Sequence, residues 1–175
     1  MAETYATERD DQLEKERLMQ LVGFRIGKEL FGVNILMVQE IIRAAPITAV
    51  PNSPDFVEGV INLRGNIIPV IELRKRIGFT SPDVSMEDSW ILILDIEGRI
   101  TGFIVDSVTE VLKIQESSIE PPPDIIIAGL ENQYIRGVCE IDEKLLILLD
   151  FNCILLVEEI KKLREMKAGR DVAAA

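Results

Sequence analysis

The chain has 175 residues, 47% of them hydrophobic, and its 30 acids against 19 bases leave a net charge of −11. That excess of acid makes nucleic acid a poor partner, because such affinity rests on Lys and Arg neutralising phosphates. The apolar content is enough to bury a core without metal or disulfide.

Residues 1–18 carry six acids and three bases and contain no apolar h-region, so they read as a flexible acidic arm with incipient helix over Gln12–Leu18. From Met19 to Gly27 apolar and polar residues alternate into Gly27-Lys28, the pattern of a strand entering a hairpin turn, with Leu30–Ile35 returning. Asn34 can cap a single helical turn. The next stretch, Val38–Arg43, fits helix or strand, and its shortness and β-branching favour strand. Ser53-Pro54 has the form of a cap with Pro at the first helical position, predicting a short helix through Glu58 that stops at Gly59. Gly59–Leu63 and Ile67–Leu73 predict a hairpin about Arg64-Gly65-Asn66, with Pro69 arguing for an edge or bulge.

A polar connector over Gly78–Asp88 leads to strands near Trp90–Ile96, Ile100–Val105 and Thr109–Ile114. Pro121-Pro122-Pro123 makes an extended link. Val138–Ile141 and Leu145–Phe151 form a last hairpin, then Asn152 caps a closing helix over 152–167, and 168–175 is a flexible tail. The longest apolar runs fall far short of the roughly 18 residues that a spanning helix needs. With no signal peptide either, the expected location is cytoplasmic, and Cys139 and Cys153 read as buried thiols.

Two stretches are written twice. A shift of 70 residues lays Gly32 on Gly102, Val38 on Val108, Glu40 on Glu110 and Leu21–Ile26 on Ile91–Ile96. A shift of 78 lays Gly59 on Gly137, Phe56–Ile61 on Tyr134–Cys139 and Glu72-Leu73 on Asp150-Phe151. Both registers run without a gap, which predicts two packed copies of one β-rich unit: copy one about 19–78, copy two about 89–151. A seam between packed copies is a natural binding groove. The short strands and frequent turn signals point to small barrels or a sandwich.

Catalytic chemistry is poorly supplied. There is no histidine, hence neither the usual general base nor the commonest metal ligand. No nucleophile elbow, phosphate-binding loop or dinucleotide fingerprint occurs. Asp106, Glu110 and Glu140 read as solvated strand positions rather than a catalytic carboxylate pair. No cofactor, no metal site and no enzyme activity are expected.

The segments QLVGFRIGKELFGVNILMVQEII (20–42) and PNSPDFVEGVINLRGNIIPVIELR (51–74) closely resemble the CheW coupling-protein family of bacterial chemotaxis. The similarity runs from about Met19 to Glu165 and is most specific over Gly59–Gly65, Pro69-Val70 and Leu73-Arg74. It implies a mostly β fold of two five-stranded SH3-like barrels around a shared hydrophobic seam, with short helices and a C-terminal helix. It further implies a non-catalytic adaptor between the cytoplasmic tip of a methyl-accepting chemoreceptor and the regulatory domain of the CheA histidine kinase, without nucleic acid or membrane insertion. Receptor-binding positions carry over to Val38, Glu40, Arg64, Gly65, Trp90 and Val108, although Trp90 replaces a small aliphatic residue there. Kinase contacts carry over to Ile47 and Gly59. The alternatives are a same-fold coupling protein of a non-flagellar pathway such as twitching motility, a nucleic-acid-binding barrel or a carboxylate enzyme.

Overall fold

Alternating apolar residues draw the chain into strands, because successive side chains on a strand point to opposite faces. The computed structural model describes residues 17–78, 88–122 and 134–155, and ten strands lie within them. They are β1 (Leu18–Ile26), β2 (Glu29–Asn34), β3 (Val38–Arg43), β4 (Val57–Leu63), β5 (Asn66–Glu72), β6 (Trp90–Ile96), β7 (Arg99–Val105), β8 (Ser107–Gln115), β9 (Ile135–Ile141) and β10 (Lys144–Leu149). Two four-residue helices follow the hairpins: α1 (Leu73–Arg76) after β5 and α2 (Phe151–Ile154) after β10.

The strands form two five-stranded sheets. Sheet one runs β8-β1-β2-β10-β9 and sheet two runs β3-β6-β7-β5-β4. Each has one parallel pair, β10 with β2 and β5 with β7.

The two registers found in the sequence hold in three dimensions. Val38 faces Leu94 across the β3–β6 ladder, and Val108 faces Phe24 across β8–β1. In the parallel pairs Val70 sits opposite Gly102 and Leu148 opposite Gly32. Even the bulges recur: the ladder slips between Val57 and Gly59 on β4, and at the matching place on β9. Isolated bridges Thr48–Val60 and Glu120–Val138 lie outside each. Yet the sheets cut across the copies, since the first hairpin of each copy completes the sheet of the other: β1–β2 join β8–β10, while β6–β7 join β3–β5.

Both faces of the sheets are covered, which explains the near-continuous apolar runs. One large cluster is shared between the sheets, with Phe24, Phe31, Val33 and Ile147 from sheet one meeting Leu92, Leu94, Phe103 and Ile71 from sheet two. A smaller buried cluster lies on the opposite face of each sheet, Leu21, Ile114, Cys139, Leu146 and Leu148 in one, Ile61, Ile68, Val70, Ile91, Ile93 and Ile104 in the other. Along β6 the alternation is plain: Ile91 and Ile93 face the private core, Leu92 and Leu94 the shared one.

Several expectations are corrected. No helix follows Ser53-Pro54; Val57 and Glu58 already belong to β4. Instead of accepting from a helical N–H, the Ser53 hydroxyl donates to the Val50 carbonyl (2.8 Å), and the Val57 N–H closes a single turn on the Pro54 carbonyl (3.0 Å). The hairpin turn is two residues, Arg64-Gly65, with Asn66 already paired to Leu63. Pro69 lies on β5, an interior strand, but just ahead of the part of β5 that pairs with β7, so its missing N–H leaves that ladder intact. Asp150, not Asn152, caps the last helix: its Oδ1 accepts from the N–H groups of Asn152 (3.1 Å) and Cys153 (3.3 Å). The remainder of the expected closing helix lies outside the described residues, as do most of the acidic arm, most of the polar connector and Pro123. Leu18, expected at the end of an incipient helix, opens β1.

Candidate functional site

Glu40 lies on the edge strand β3 and Arg64 at the tip of the β4–β5 hairpin, 24 residues apart in sequence. The fold brings them into an ion pair, Arg64 Nη2 to Glu40 Oε1 at 2.8 Å. The tip suits its residues: Arg64 has φ 51° and Gly65 φ 85°, and the Gly65 N–H donates to Asn62 Oδ1 (2.9 Å). Nothing lies within 4 Å of where a Gly65 Cβ would be, so backbone conformation alone asks for glycine there. The pair rims a groove of about 480 Å³ on sheet two, whose apolar lining includes Ile67, Ile68, Ile93 and Ile100. Ile67 is 59% exposed. Arg64 is itself 77% exposed, so the pair contributes little to stability, on the order of 0.2–1 kcal/mol.

Val38 and Val108 occupy equivalent places on β3 and β8, and both pack half-buried against the shared core. Trp90 opens β6, also packs against that core, and pairs across the ladder with Arg43, whose guanidinium lies 4.6 Å from the ring centroid. These three line up with the seam between the sheets, whereas Glu40, Arg64 and Gly65 gather on sheet two; the six positions thus fall into two groups. Ile47 and Gly59 meet at a third place. Gly59 has φ 151°, and a Cβ there would collide with the Thr48 carbonyl, because the 47–48 segment is laid over the edge of β4.

With this geometry in view, comparison with known proteins is decisive. Residues 20–159 match the family described as the CheW-like domain. The chain belongs to that family. It is 38% identical over 138 residues to the chemotaxis protein CheW of Klebsiella aerogenes, spanning 78% of this chain and 81% of that protein. It is 36% identical over 135 residues to the probable chemotaxis protein CheW of Rhizobium etli, covering 77% and 86%. Among solved structures it resembles the scaffolding protein TtCheW of Thermoanaerobacter tengcongensis, with 39% identity, a TM-score of 0.73, and coverage of 82% of this chain and 91% of that one. Its function is that of a chemotaxis coupling adaptor.

In this CheW-like domain the sheets are tied together by side chains that pattern-reading missed. Asp106, expected as a solvated strand position, is instead half-buried and lies between β7 and β8, where the chain crosses from sheet two to sheet one. Its Oδ1 accepts from Arg74 Nη2 (2.6 Å) and its Oδ2 from the Gly27 N–H (2.7 Å). Nearby, Glu72 is half-buried, and burial raises its carboxyl above the ordinary 4.5, outweighing the lowering by Arg74. Arg76 donates from Nε to the Ile154 carbonyl (2.9 Å) and from Nη1 to the Tyr134 hydroxyl, while lying over the rings of Phe56 and Tyr134. In the sequence Leu73-Arg74 stands out only through the family resemblance. The available signal was that Glu72-Leu73 aligns with Asp150-Phe151 while Arg74 and Arg76 have the uncharged counterparts Asn152 and Ile154.

The groove residues Ile67 and Ile100 were likewise missed. Two adjacent apolar residues, Ile67-Ile68, on an alternating strand imply that one faces outward. Both cysteines are free; Cys139 is buried, but Cys153 is only half-buried, against expectation. Burial raises the Cys139 thiol, and hydrogen bonding to Asp150 is the main cause raising that of Cys153. Among the described residues no group of three or more ligand-type side chains converges to hold a metal, and no helix is long and apolar enough to cross a membrane.

Proposed function

We propose that this adaptor bridges the cytoplasmic tip of a chemoreceptor and the regulatory domain of a CheA-type histidine kinase, working in the cytoplasm without catalysis of its own. The observation that carries this reading is the groove on sheet two: an apolar floor of Ile67, Ile68, Ile93 and Ile100 beneath a rim where Glu40 and Arg64 present one charge of each sign. An apolar floor with a charged rim suits a helix laid in a groove, the apolar face giving contact area and the rim fixing orientation. The receptor surface comprises Glu40, Arg64 and Gly65 at this groove, with Val38, Trp90 and Val108 along the seam. The kinase docks on the separate patch around Ile47 and Gly59. Two distinct surfaces are what a bridging protein requires, and repeated pairwise contacts within an array make modest affinities sufficient.

Arg64→Glu tests the receptor assignment. The side chain is exposed, so the variant melts close to the parent. At an interface the same change sets like charge against Glu40 and removes a charge-assisted contact, weakening binding of a receptor cytoplasmic fragment at least about tenfold, or about 1.4 kcal/mol. Calorimetric titration alongside a thermal melt separates the two effects, and unchanged affinity would remove Arg64 from the receptor surface.

A further inference from the structure

A second groove, of about 430 Å³, lies on sheet one, where Arg17, Leu18 and Gln20 at the start of β1 meet Leu36 of the 3-10 turn between β2 and β3, and Lys113 and Glu116 at the end of β8. It has two unusual properties. Leu36 is 87% exposed and Leu18 61%, the two most exposed large apolar residues described. In addition, two cations face one acid there, in a chain that carries a net charge of −11.

The duplication says what this groove lacks. Under the 70-residue shift Gln20 corresponds to Trp90, Lys113 to Arg43 and Leu36 to Asp106. The ladder partners agree, for Gln20 faces Lys113 as Trp90 faces Arg43. In the other half the place is filled: the Trp90 indole packs against the shared core with the Arg43 guanidinium on its ring, and Asp106 is held by Arg74 and the Gly27 N–H. On sheet one an exposed glutamine stands in place of the indole, and the cation and the leucine are left over an open groove. An aromatic ring accompanied by carboxylates would restore what the other half possesses.

We propose that the groove is a docking site for the chain's own first sixteen residues, with Tyr5 entering beside Lys113 as Trp90 lies beside Arg43. Tyr5 is the only aromatic residue in that segment, and the segment carries six acids against Arg9 and Lys15, complementary to Arg17 and Lys113. It runs directly into Arg17, itself a groove residue, and the twelve residues from Tyr5 to Arg17 reach up to ~40 Å when extended. A short tether supplies an effective concentration in the millimolar range, so a weak contact is occupied. Docking covers Leu18 and Leu36 and places the acidic segment beside Met37-Val38.

The test is made on the full-length chain by NMR, reading the Leu36 methyl groups and the Lys113 amide, with the Trp90 indole and Arg43 as internal controls. Tyr5→Ala shifts the Leu36 and Lys113 signals and leaves Trp90 and Arg43 in place, while Tyr5→Phe keeps the parent positions. Raising the salt from about 0.05 M to about 1 M moves the same signals in the Tyr5→Ala direction, because screening weakens the charge complement. Identical Leu36 and Lys113 signals in parent and Tyr5→Ala would overturn the proposal. A difference that grows with protein concentration would also overturn it, by assigning the groove to the segment of a second copy.

Discussion

The β4–β5 and β9–β10 hairpins turn through the same backbone. Arg64 and Gly65 have φ of 51° and 85°, and their counterparts Asp142 and Glu143 have φ of 50° and 65°. What they carry differs in sign. Arg64 answers Glu40 across the groove, whereas the corresponding pair on sheet one, Asp142 and Glu110, is two acids. Duplication has therefore kept the ladder registers and the bulges while letting side chains diverge. Local charge and exposure distinguish the two halves as surfaces more than their ladders do.

The largest expected effect probes how far that shared backbone goes. A side chain at Gly59 meets the Thr48 carbonyl and needs a left-handed φ, whereas at Gly137 it meets the Ile119 Cγ2 methyl first and the Glu120 carbonyl only at 3.0 Å, without a left-handed φ. Gly59→Val therefore costs about 4 kcal/mol, and Gly137→Val about half as much. Urea melts of the two variants measure the ratio; equal costs would mean that the edges of β4 and β9 are crossed in the same way.

Next come the two places where the chain passes between sheets. Asp106→Ala removes the carboxylate that bridges Arg74 Nη2 and the Gly27 N–H across the sheet junction and costs about 3 kcal/mol. Leu36→Ala, at the equivalent place, costs less than about 0.5 kcal/mol because the side chain lies outside the packed core, 87% exposed, and its proposed cover by residues 1–16 is a weak contact. Comparable losses at both in thermal melts would erase the contrast between a latched crossing and an open one.

A smaller effect, of opposite sign, belongs to Glu72. Burial raises its carboxyl in the folded protein above the ordinary 4.5, so the folded state holds the proton more tightly than the unfolded state does. Stability from this group is present in acid and is lost as pH rises above 4.5. Glu72→Gln should thus raise the melting temperature at pH 7, with the gain shrinking to nothing as pH falls below 4.5. A gain that persists in acid would point to packing instead. The smallest change is Arg64→Ala, within about 0.5 kcal/mol of the parent by the same melt, since only an exposed pair is lost.

Much of this was legible in the sequence, for identifiable reasons. Strands whose residues alternate between two apolar faces, such as β6 and β10, announce themselves, and gapless self-alignment located equivalent ladder positions before any coordinates. Ser53-Pro54 misled because the same dipeptide that starts helices also starts turns, and only the destination of the Ser53 hydroxyl tells them apart. Asn152 misled because the helix starts two residues earlier: Asp150 accepts from the Asn152 and Cys153 N–H groups, and the Ile154 and Leu155 N–H groups that Asn152 would cap are already bonded to the Asp150 and Phe151 carbonyls. The interleaving of strands between copies was invisible, since an alignment states which residues are equivalent and not which of them pair. The candidate site divides likewise. Glu40 and Arg64 were named through family resemblance, but their ion pair, and the isoleucines beneath it, depend on strand order. Arg74, Arg76 and Asp106 act across the sheet junction, and no local periodicity reports a contact between elements so far apart.

The interleaving also sets an order of assembly. Sheet two lies wholly between Val38 and Val105, so a chain emerging from the ribosome can complete it while synthesis continues. Sheet one cannot close until β10 arrives, because β2 takes its second neighbour through Leu30, Phe31 and Gly32 from the far end of the chain. Until then the first hairpin presents an unpaired apolar edge, the feature most prone to recruit a stranger's strand. A chain arrested after β7 is a finished sheet trailing an adhesive hairpin, and its first fate is self-association.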